Sequence, residues 1–312
     1  MISFGPIPSR RLGKSLGINN IFSPKVCTYG CVYCQVGKTK KYSIERQQFF
    51  EPDVVFNDIT KHLQKLKNED FPDYLTFVSN GEPTLDINLG EIINKLKIWQ
   101  IPIAVITNAS LLSNEDVVNN LMLADWVSIK VDASDNETWQ KINKPHKDLN
   151  FENHINAIYN FSSKFKGKLC TETMFVAEIN DTENQINEIS EIVKKINPAT
   201  AYLSIPIRPP AFSEIKAANI ENVNSGWQIF SNQGIKTELL IGFEGTNTGF
   251  TGNAYEDILN TTAVHPLRED TVLELLKKDN SDFSIIESLL NQRLIKKVNY
   301  NNQTFYFRNY FV

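Results

Sequence analysis

Cys27-Thr28-Tyr29-Gly30-Cys31-Val32-Tyr33-Cys34 places three cysteines in eight residues, directly after the apolar, strand-like run Ser15 to Phe22. No other stretch of the chain narrows its fold and chemistry as far. Three thiolates are one ligand short of the four that a structural zinc or an ordinary 4Fe-4S cluster takes from protein. An iron left without a protein ligand can bind a small molecule. Gly30 permits turns that other residues resist, and Thr28 and Tyr33 carry groups able to line a ligand site. Zinc is the alternative: a fourth donor would have to come from Cys170, His62, His146, His154 or His265, all distant in sequence, and soft thiolates suit both metals.

Outward from this loop, β-branched runs alternate with helical periodicity. Strands are expected at Ser15 to Phe22, Tyr74 to Ser79, Ile103 to Thr107, Trp126 to Asp132, Leu169 to Val176 and Ala201 to Ile207. Between them, Pro52 to Leu66, Leu89 to Trp99, Glu115 to Leu123, Phe151 to Phe165 and Glu183 to Ile196 are long enough to be crossover helices. In the last of these, Ile186, Ile189, Val193 and Ile196 form one stripe, which reads as core. Repeated βα units either lie in an open sheet or curl into a barrel, and both place chemistry at the carboxyl ends of the strands.

Polar residues gather at those ends. The second strand runs into Gly81-Glu82-Pro83, where glycine and proline impose a tight turn and Glu82 sets a carboxylate suited to an ammonium group. The third ends at Thr107 and Asn108. In the fourth, Ser128, Lys130 and Asp132 share one face by alternation. Each has a bland reading, as surface turn, helix cap or a Lys130–Asp132 ion pair, but their common location points to one site.

With 312 residues and a net charge of -4, the chain suits a large α/β domain with a small appendage and is not a basic nucleic-acid coat. Four cysteines, three of them clustered, make no disulfide framework, so a reducing, cytoplasmic setting is expected. The sequence shows neither a secretion signal nor a membrane span.

These residues resemble the radical S-adenosylmethionine (SAM) superfamily, in which a C-x3-C-x2-C loop follows the first strand of a partial βα barrel. An aromatic residue typically precedes the last cysteine, as Tyr33 does here, and Gly81-Glu82-Pro83 matches the family's Gly-Glu-Pro motif. The resemblance covers about residues 1 to 245 and implies a partial (βα)6 TIM-type barrel. Gly5-Pro6-Ile7-Pro8-Ser9-Arg10-Arg11-Leu12-Gly13 and Ile142-Asn143-Lys144-Pro145 are also similar to stretches in iron-sulfur proteins related to the tRNA wyosine-base synthases. Those synthases carry further cysteines for a second cluster. Here only Cys170 is left over, which puts the wyosine reaction in doubt and makes Cys170 a small buried hydrophobe.

The resemblance implies one 4Fe-4S cluster on Cys27, Cys31 and Cys34, with SAM bound at the open iron and cleaved to a 5'-deoxyadenosyl radical that abstracts hydrogen from a substrate. It implies an electron donor such as flavodoxin or ferredoxin. Glu82 would meet the methionyl ammonium, with Tyr33, Gly81 and Pro83 beside it and Thr107, Asn108 and Ser128 as further cofactor contacts. Lys130, Asp132 and Arg208 are the candidate catalytic residues; Glu172, Thr173 and Ser204 are expected on the substrate side. RNA is the first substrate class expected, with a peptide, a small metabolite or a non-catalytic DNA-binding sensor as alternatives.

After the strand Lys236 to Gly242, residues 246–264 read as a linker. From His265 the pattern changes to two short helices, around Leu267 to Leu276 and Phe283 to Leu290, followed by a hairpin turning at Asn301-Asn302. Residues 265–312 therefore resemble a winged-helix module, with Arg293, Lys296, Lys297 and Arg308 as local positive charge.

Overall fold

The computed structural model describes residues 2–22 and 24–310; Met1, Ser23 and the last two residues of the expected carboxy-terminal module lie outside it. Strands β1 (Ser3–Ser9) and β2 (Gly13–Ile18) form an antiparallel hairpin, and β3 (Val26–Cys27) and β4 (Lys41–Tyr42) a small parallel ribbon. Then β5 (Tyr74–Phe77), β6 (Ile103–Thr107), β7 (Trp126–Lys130), β8 (Lys168–Met174), β9 (Thr200–Ser204) and β10 (Thr237–Leu240) follow in sequence. They join β2 in one curled half-barrel of order β1-β2-β5-β6-β7-β8-β9-β10, parallel from β2 onward.

Two strands exceed the six-strand expectation. The seventh parallel strand, β10, is the strand expected at Lys236 to Gly242, which joins the barrel sheet as a further member, and β1 occupies the Pro- and Gly-punctuated amino-terminal stretch, which reads as a loop. Pro6 and Pro8 are tolerated there because β1 is an edge strand, pairing only with β2, so a missing N–H breaks no inner ladder.

Helices α1 (Pro52–Lys65), α2 (Leu89–Leu96), α3 (Glu115–Leu121), α4 (Asn136–Ile142), α5 (Phe151–Lys164), α6 (Glu183–Ile196) and α7 (Ile220–Asn232) connect the strands. The α6 stripe is buried as its period requires, and the helix is bounded by the Thr182 side chain capping Gln185 N–H and by Asn197 in the left-handed region at φ 54°. Val127 and Ile129 of β7 face this helical layer, in one core with Ile186, Ile189 and Val193. Burying each such side chain contributes about 1.5–3 kcal/mol.

The inner face of the sheet is sorted by height. Ala104, Trp126, Cys170, Tyr202 and Leu240 form a closed apolar plug with Leu12. Two residues further along β6, β8 and β9, and four further along β7, Ile106, Glu172, Ser204 and Lys130 border an open cavity instead. Alternation within strands and register between them thus seal one end of the half-barrel and leave the carboxyl end polar.

Residues 246–264, which read as a linker, contain α8 (Ala254–Thr262), whose apolar face is masked in sequence by buried Asp257, Thr261 and Thr262. It packs against the β1 edge. Then come β11 (Leu267–Arg268), α9 (Glu269–Lys278), α10 (Ser284–Asn291), β12 (Ile295–Tyr300) and β13 (Gln303–Arg308). The three strands form a second sheet of order β11-β13-β12 over a separate core that includes Ile258, Val272, Leu275, Ile286 and Tyr306. Asn301 and Asn302 take positive φ in the β12–β13 turn. No helix among the described residues is long and apolar enough to cross a membrane.

Candidate active site

The cysteine loop is held by backbone. Gly30 N–H donates to Asn143 O (2.9 Å) and Lys144 O (3.0 Å), and Val32 N–H to Ile142 O (2.9 Å), so the end of α4 clamps the turn. A side chain at Gly30 would meet the Tyr42 hydroxyl at 1.7 Å from its Cβ. Beneath the loop, Tyr29 meets Trp139 edge-on, and Trp139 stacks on His154 at 5.4 Å. Trp139 Nε1 donates to the Tyr29 hydroxyl at 3.1 Å.

Gly81 joins this loop to the second motif. Its φ of 142° and a Cβ position only 1.7 Å from Val26 O exclude any side chain, because the turn after β5 bridges directly to the strand carrying Cys27. Glu82 N–H then donates to Val26 O at 3.2 Å. The Gly-Glu-Pro turn and the cysteines are therefore one construction.

Cys27, Cys31 and Cys34 border one cavity of about 330 Å³, and each sulfur accepts from nitrogen. Cys27 Sγ takes the Tyr29 N–H at 3.5 Å and Asn108 Nδ2 at 3.8 Å, Cys31 Sγ takes Asn143 Nδ2 at 3.5 Å, and Cys34 Sγ takes Lys25 Nζ at 3.0 Å. Burial pushes the Cys27 thiol up to about 12, with Glu82 and Cys31 adding to it. Burial and the neighbouring Cys34 push Cys31 up to about 11. Bare thiolates are thus costly here, a cost that cationic iron removes, and N–H donors to sulfur are the usual surroundings of iron-sulfur centres. Among the described residues, no group of three or more His, Cys, Asp or Glu is gathered about a point for one bare ion. The fit to a cluster rests on the three thiols in one cavity and on the donors around them.

The distant zinc donors are otherwise engaged. Cys170 is fully buried in the apolar plug. His62 bonds Ser3 and Gly5 O, His146 faces Asp148, and His154 lies in the aromatic stack, where burial lowers its pKa to about 4.

Glu82 is 2% exposed and also borders the cavity. Its Oε1 accepts from Thr84 N–H (3.1 Å), Thr84 Oγ1 (2.7 Å) and Thr107 Oγ1 (2.6 Å), and its Oε2 from Asn108 N–H (2.8 Å). All four donors are neutral, and no described cation forms an ion pair with it. Burial raises its pKa, with these hydrogen bonds pulling the other way. Thr107 and Asn108 also border the cavity; they aim Glu82, and Asn108 Nδ2 reaches Thr28 Oγ1 at 2.7 Å.

The opposite wall carries a paired carboxylate. Glu172 Oε1 meets Lys130 Nζ at 2.9 Å and accepts from Ser204 Oγ at 3.0 Å, while Oε2 pairs with Arg11. Burial alone would raise the Glu172 pKa, but Lys130 and Arg11 outweigh it and hold the group well below the usual carboxylate range. At the mouth, Arg208 pairs with Glu244, approaches His265 Nε2 at 3.1 Å and donates to Gln35 Oε1 at 3.2 Å. Burial, Arg208 and Arg10 keep His265 neutral far below its ordinary range.

Of the residues expected from sequence, the three cysteines, Tyr33, Gly81, Glu82, Thr107, Asn108, Lys130 and Arg208 border this cavity, and Pro83, Ser128 and Asp132 do not. Pro83 shapes the turn, its carbonyl accepting from Asn20 at 3.1 Å. Ser128 is buried in β7. Asp132 lies beyond the end of β7 and turns away from Lys130: it accepts from the Tyr33 hydroxyl, from Asn143 Nδ2 at 2.8 Å and from Met174 N–H at 2.8 Å. It positions the loop from behind. Lys25, Gln35 and Glu244 carry no expectation from sequence, and His265 is expected there only as a possible zinc donor; Lys25 and Gln35 adjoin the cysteine loop in sequence, whereas Glu244 and His265 carry no local signal.

The family model of the radical SAM superfamily matches residues 21–192, and the chain belongs to that superfamily. It is a radical SAM enzyme, and its cofactors are a 4Fe-4S cluster and SAM. A UPF0026 protein of Methanocaldococcus jannaschii is 47% identical over 311 residues, 99% of this chain and 96% of that protein. Among solved structures, a radical SAM methyltransferase from Sphaerobacter thermophilus aligns with a TM-score of 0.55 at 12% identity, covering 73% of this chain and 66% of that one, a likeness of fold. A structure of TYW1 with a lysine-pyruvate adduct bound gives a TM-score of 0.49 at 16% identity, covering 96% and 82%, too loose a likeness to speak for substrate.

Proposed function

We propose that Cys27, Cys31 and Cys34 hold the cluster, that Glu82 receives the methionyl ammonium of SAM, and that the enzyme acts on a base within RNA. The observation carrying the cofactor assignment is Glu82 itself: a buried carboxylate bordering the thiol cavity, held by four neutral donors and lacking a cation. A buried charge of this kind is stabilised by an arriving counter-charge. When bound, the two cofactors supply one-electron cleavage of the sulfonium and abstraction of a hydrogen atom from the substrate.

The chain's own residues do the rest. Thr84, Thr107 and Asn108 fix the carboxylate before the cofactor arrives, so little reorganisation is needed. Asp132 and Asn143 hold Tyr33, whose ring stands 5.1 Å from Lys130 Nζ, between the thiols and the Glu172 wall. Lys130 and Arg208 stand on the substrate side. With Arg10 and Arg11 the mouth carries four cations against Glu172 and Glu244, a balance suited to phosphate. The helices and hairpin after residue 265, with Lys296 and Lys297 exposed on β12, would extend that surface in the manner of a winged helix.

Reduced, anaerobic protein given SAM is expected to release 5'-deoxyadenosine, and modified nucleosides of total RNA are expected to differ between cells with and without the protein. No 5'-deoxyadenosine from protein carrying its cluster would refute the cofactor assignment, and unchanged nucleosides beside an altered peptide or metabolite would refute RNA.

A further inference from the structure

The cluster must be charged from outside, and rates of electron transfer fall steeply with distance, so the carrier has to dock where the covering of the thiols is thinnest. The outer side of the cysteine loop, where Cys34 is only half-buried, offers such a place. Lys25 Nζ bonds both Cys34 Sγ (3.0 Å) and Gly37 O (2.7 Å), while Lys25 O accepts Lys41 N–H at 3.1 Å. A short bonded path therefore runs from exposed Lys38 and Lys41 to the Cys34 sulfur.

Three exposed lysines stand on this side: Lys38 and Lys41 after the cysteine loop and Lys144 at the end of α4. Lys38 Nζ lies 4.5 Å and Lys144 Nζ 4.2 Å from the centre of the Phe212 ring, one from the cysteine loop and the other from the α4 end that clamps it. Phe212 packs in the same apolar cluster as Cys27 and Cys31, and its N–H donates to Val32 O at 3.3 Å. Lys38, Lys41 and Lys144 are exposed, and none has a carboxylate partner among the described residues. Lys144 is presented outward at φ 43° within the stretch Ile142 to Pro145, a segment the cavity itself does not use. In a chain of net charge -4, two lysines over a half-buried aromatic ring beside the cluster loop, with exposed Lys41 nearby in sequence, call for a function of their own.

We propose that Lys38, Lys41, Lys144 and Phe212 form the docking surface for an acidic one-electron carrier protein. The partner is negatively charged, because encounters between redox proteins use small interfaces steered by complementary charge. On each encounter one electron leaves the reduced carrier and enters the cluster, with no atom transferred. The inference rests on the reading that the three thiols hold a reducible cluster.

The test compares two reductants on anaerobic protein carrying its cluster: a reduced acidic ferredoxin and an uncharged small molecule, photoreduced deazariboflavin. Cluster reduction is followed by loss of visible absorbance in stopped flow. The triple variant Lys38→Glu, Lys41→Glu, Lys144→Glu is expected to slow reduction by ferredoxin at least tenfold at low salt and to leave reduction by deazariboflavin within twofold. Independently of any variant, the wild-type rate with ferredoxin is expected to fall as ionic strength rises. Equal ferredoxin rates in variant and wild type, or a wild-type rate indifferent to salt, would overturn the docking surface. Equal slowing with both reductants would also overturn it, since the lysines would then act on the cluster itself. If the variant loses retention of tRNA while ferredoxin reduces it normally, the face belongs to RNA and the proposal fails. A wild-type cluster that neither reductant reduces would instead strike the reading beneath it.

Discussion

Two buried carboxylates face each other across the cavity, and they are built oppositely. Glu82 is surrounded by neutral donors and has no cation, whereas Glu172 is clasped by Lys130 and Arg11. Burial raises the Glu82 pKa, while the cations drive that of Glu172 down. A neutralised carboxylate is structural: it ties β8 to β7 and to the turn after β1. A carboxylate aimed but left without a counter-charge suits a receptor, the role proposed for Glu82. Burial is common to both, so the difference in partners is what favours Glu82 over Glu172 as the proposed ligand contact.

The comparison breaks most completely if the thiols are removed. Replacing Cys27, Cys31 or Cys34 by Ala is expected to abolish cluster absorption and 5'-deoxyadenosine, leaving Glu82 aimed at an empty corner. Retained product from any one of them would dissolve the contrast.

Next in size, Glu172→Gln strands two partly buried cations and is expected to cost about 3 kcal/mol of folding stability, read from denaturant unfolding of the apoprotein. Loss of less than about 1 kcal/mol would mean that the Glu172 wall is solvated and not structural. The native pKa of Glu172 is depressed, so its contribution is present above the unfolded carboxylate pKa and is lost as pH falls.

Glu82→Gln should do the reverse, weakening SAM binding ten- to a hundredfold, about 1.4–2.7 kcal/mol, in equilibrium dialysis with the cluster intact. Apoprotein stability should hold or rise. With its folded pKa raised, Glu82 binds a proton more readily in the native state, so its ionisation subtracts stability as pH climbs through that value. A stability loss matching that of Glu172→Gln would make the two walls equivalent.

The smallest effect lies beneath the cysteine loop. His154 has a folded pKa of about 4 against an ordinary 6.5, so the unfolded chain takes up its proton first and stability falls on acidification between those values. At pH 5.5 the loss is about 1.4 kcal/mol. His154→Phe is expected to flatten this part of the stability profile, and the cysteine-loop side should weaken in acid before the Glu172 wall does. An unchanged profile would show that the imidazole is hydrated.

Much of this molecule is local and therefore legible in the chain. Cysteine spacing is covalent, Gly81 and Pro83 dictate their own turn, and the α6 stripe follows from helical period alone. The edge strand β1 was hidden because prolines signal breakage, and only its place at the end of the sheet makes them harmless. Helix α8 was hidden because three buried polar residues interrupt its apolar face.

By itself the sequence determined three thiols in one loop, a carboxylate at the next strand end and a βα repeat to carry them, since each depends on neighbours a few residues apart. Only the tertiary structure decided that Lys130 pairs with Glu172 and not with Asp132, that Arg208 meets Glu244 and His265, and that Glu82 is left without a cation. Those outcomes depend on strand register and on which distant groups reach one another, and electrostatic pairing is settled by distance in space, which spacing along the chain does not encode.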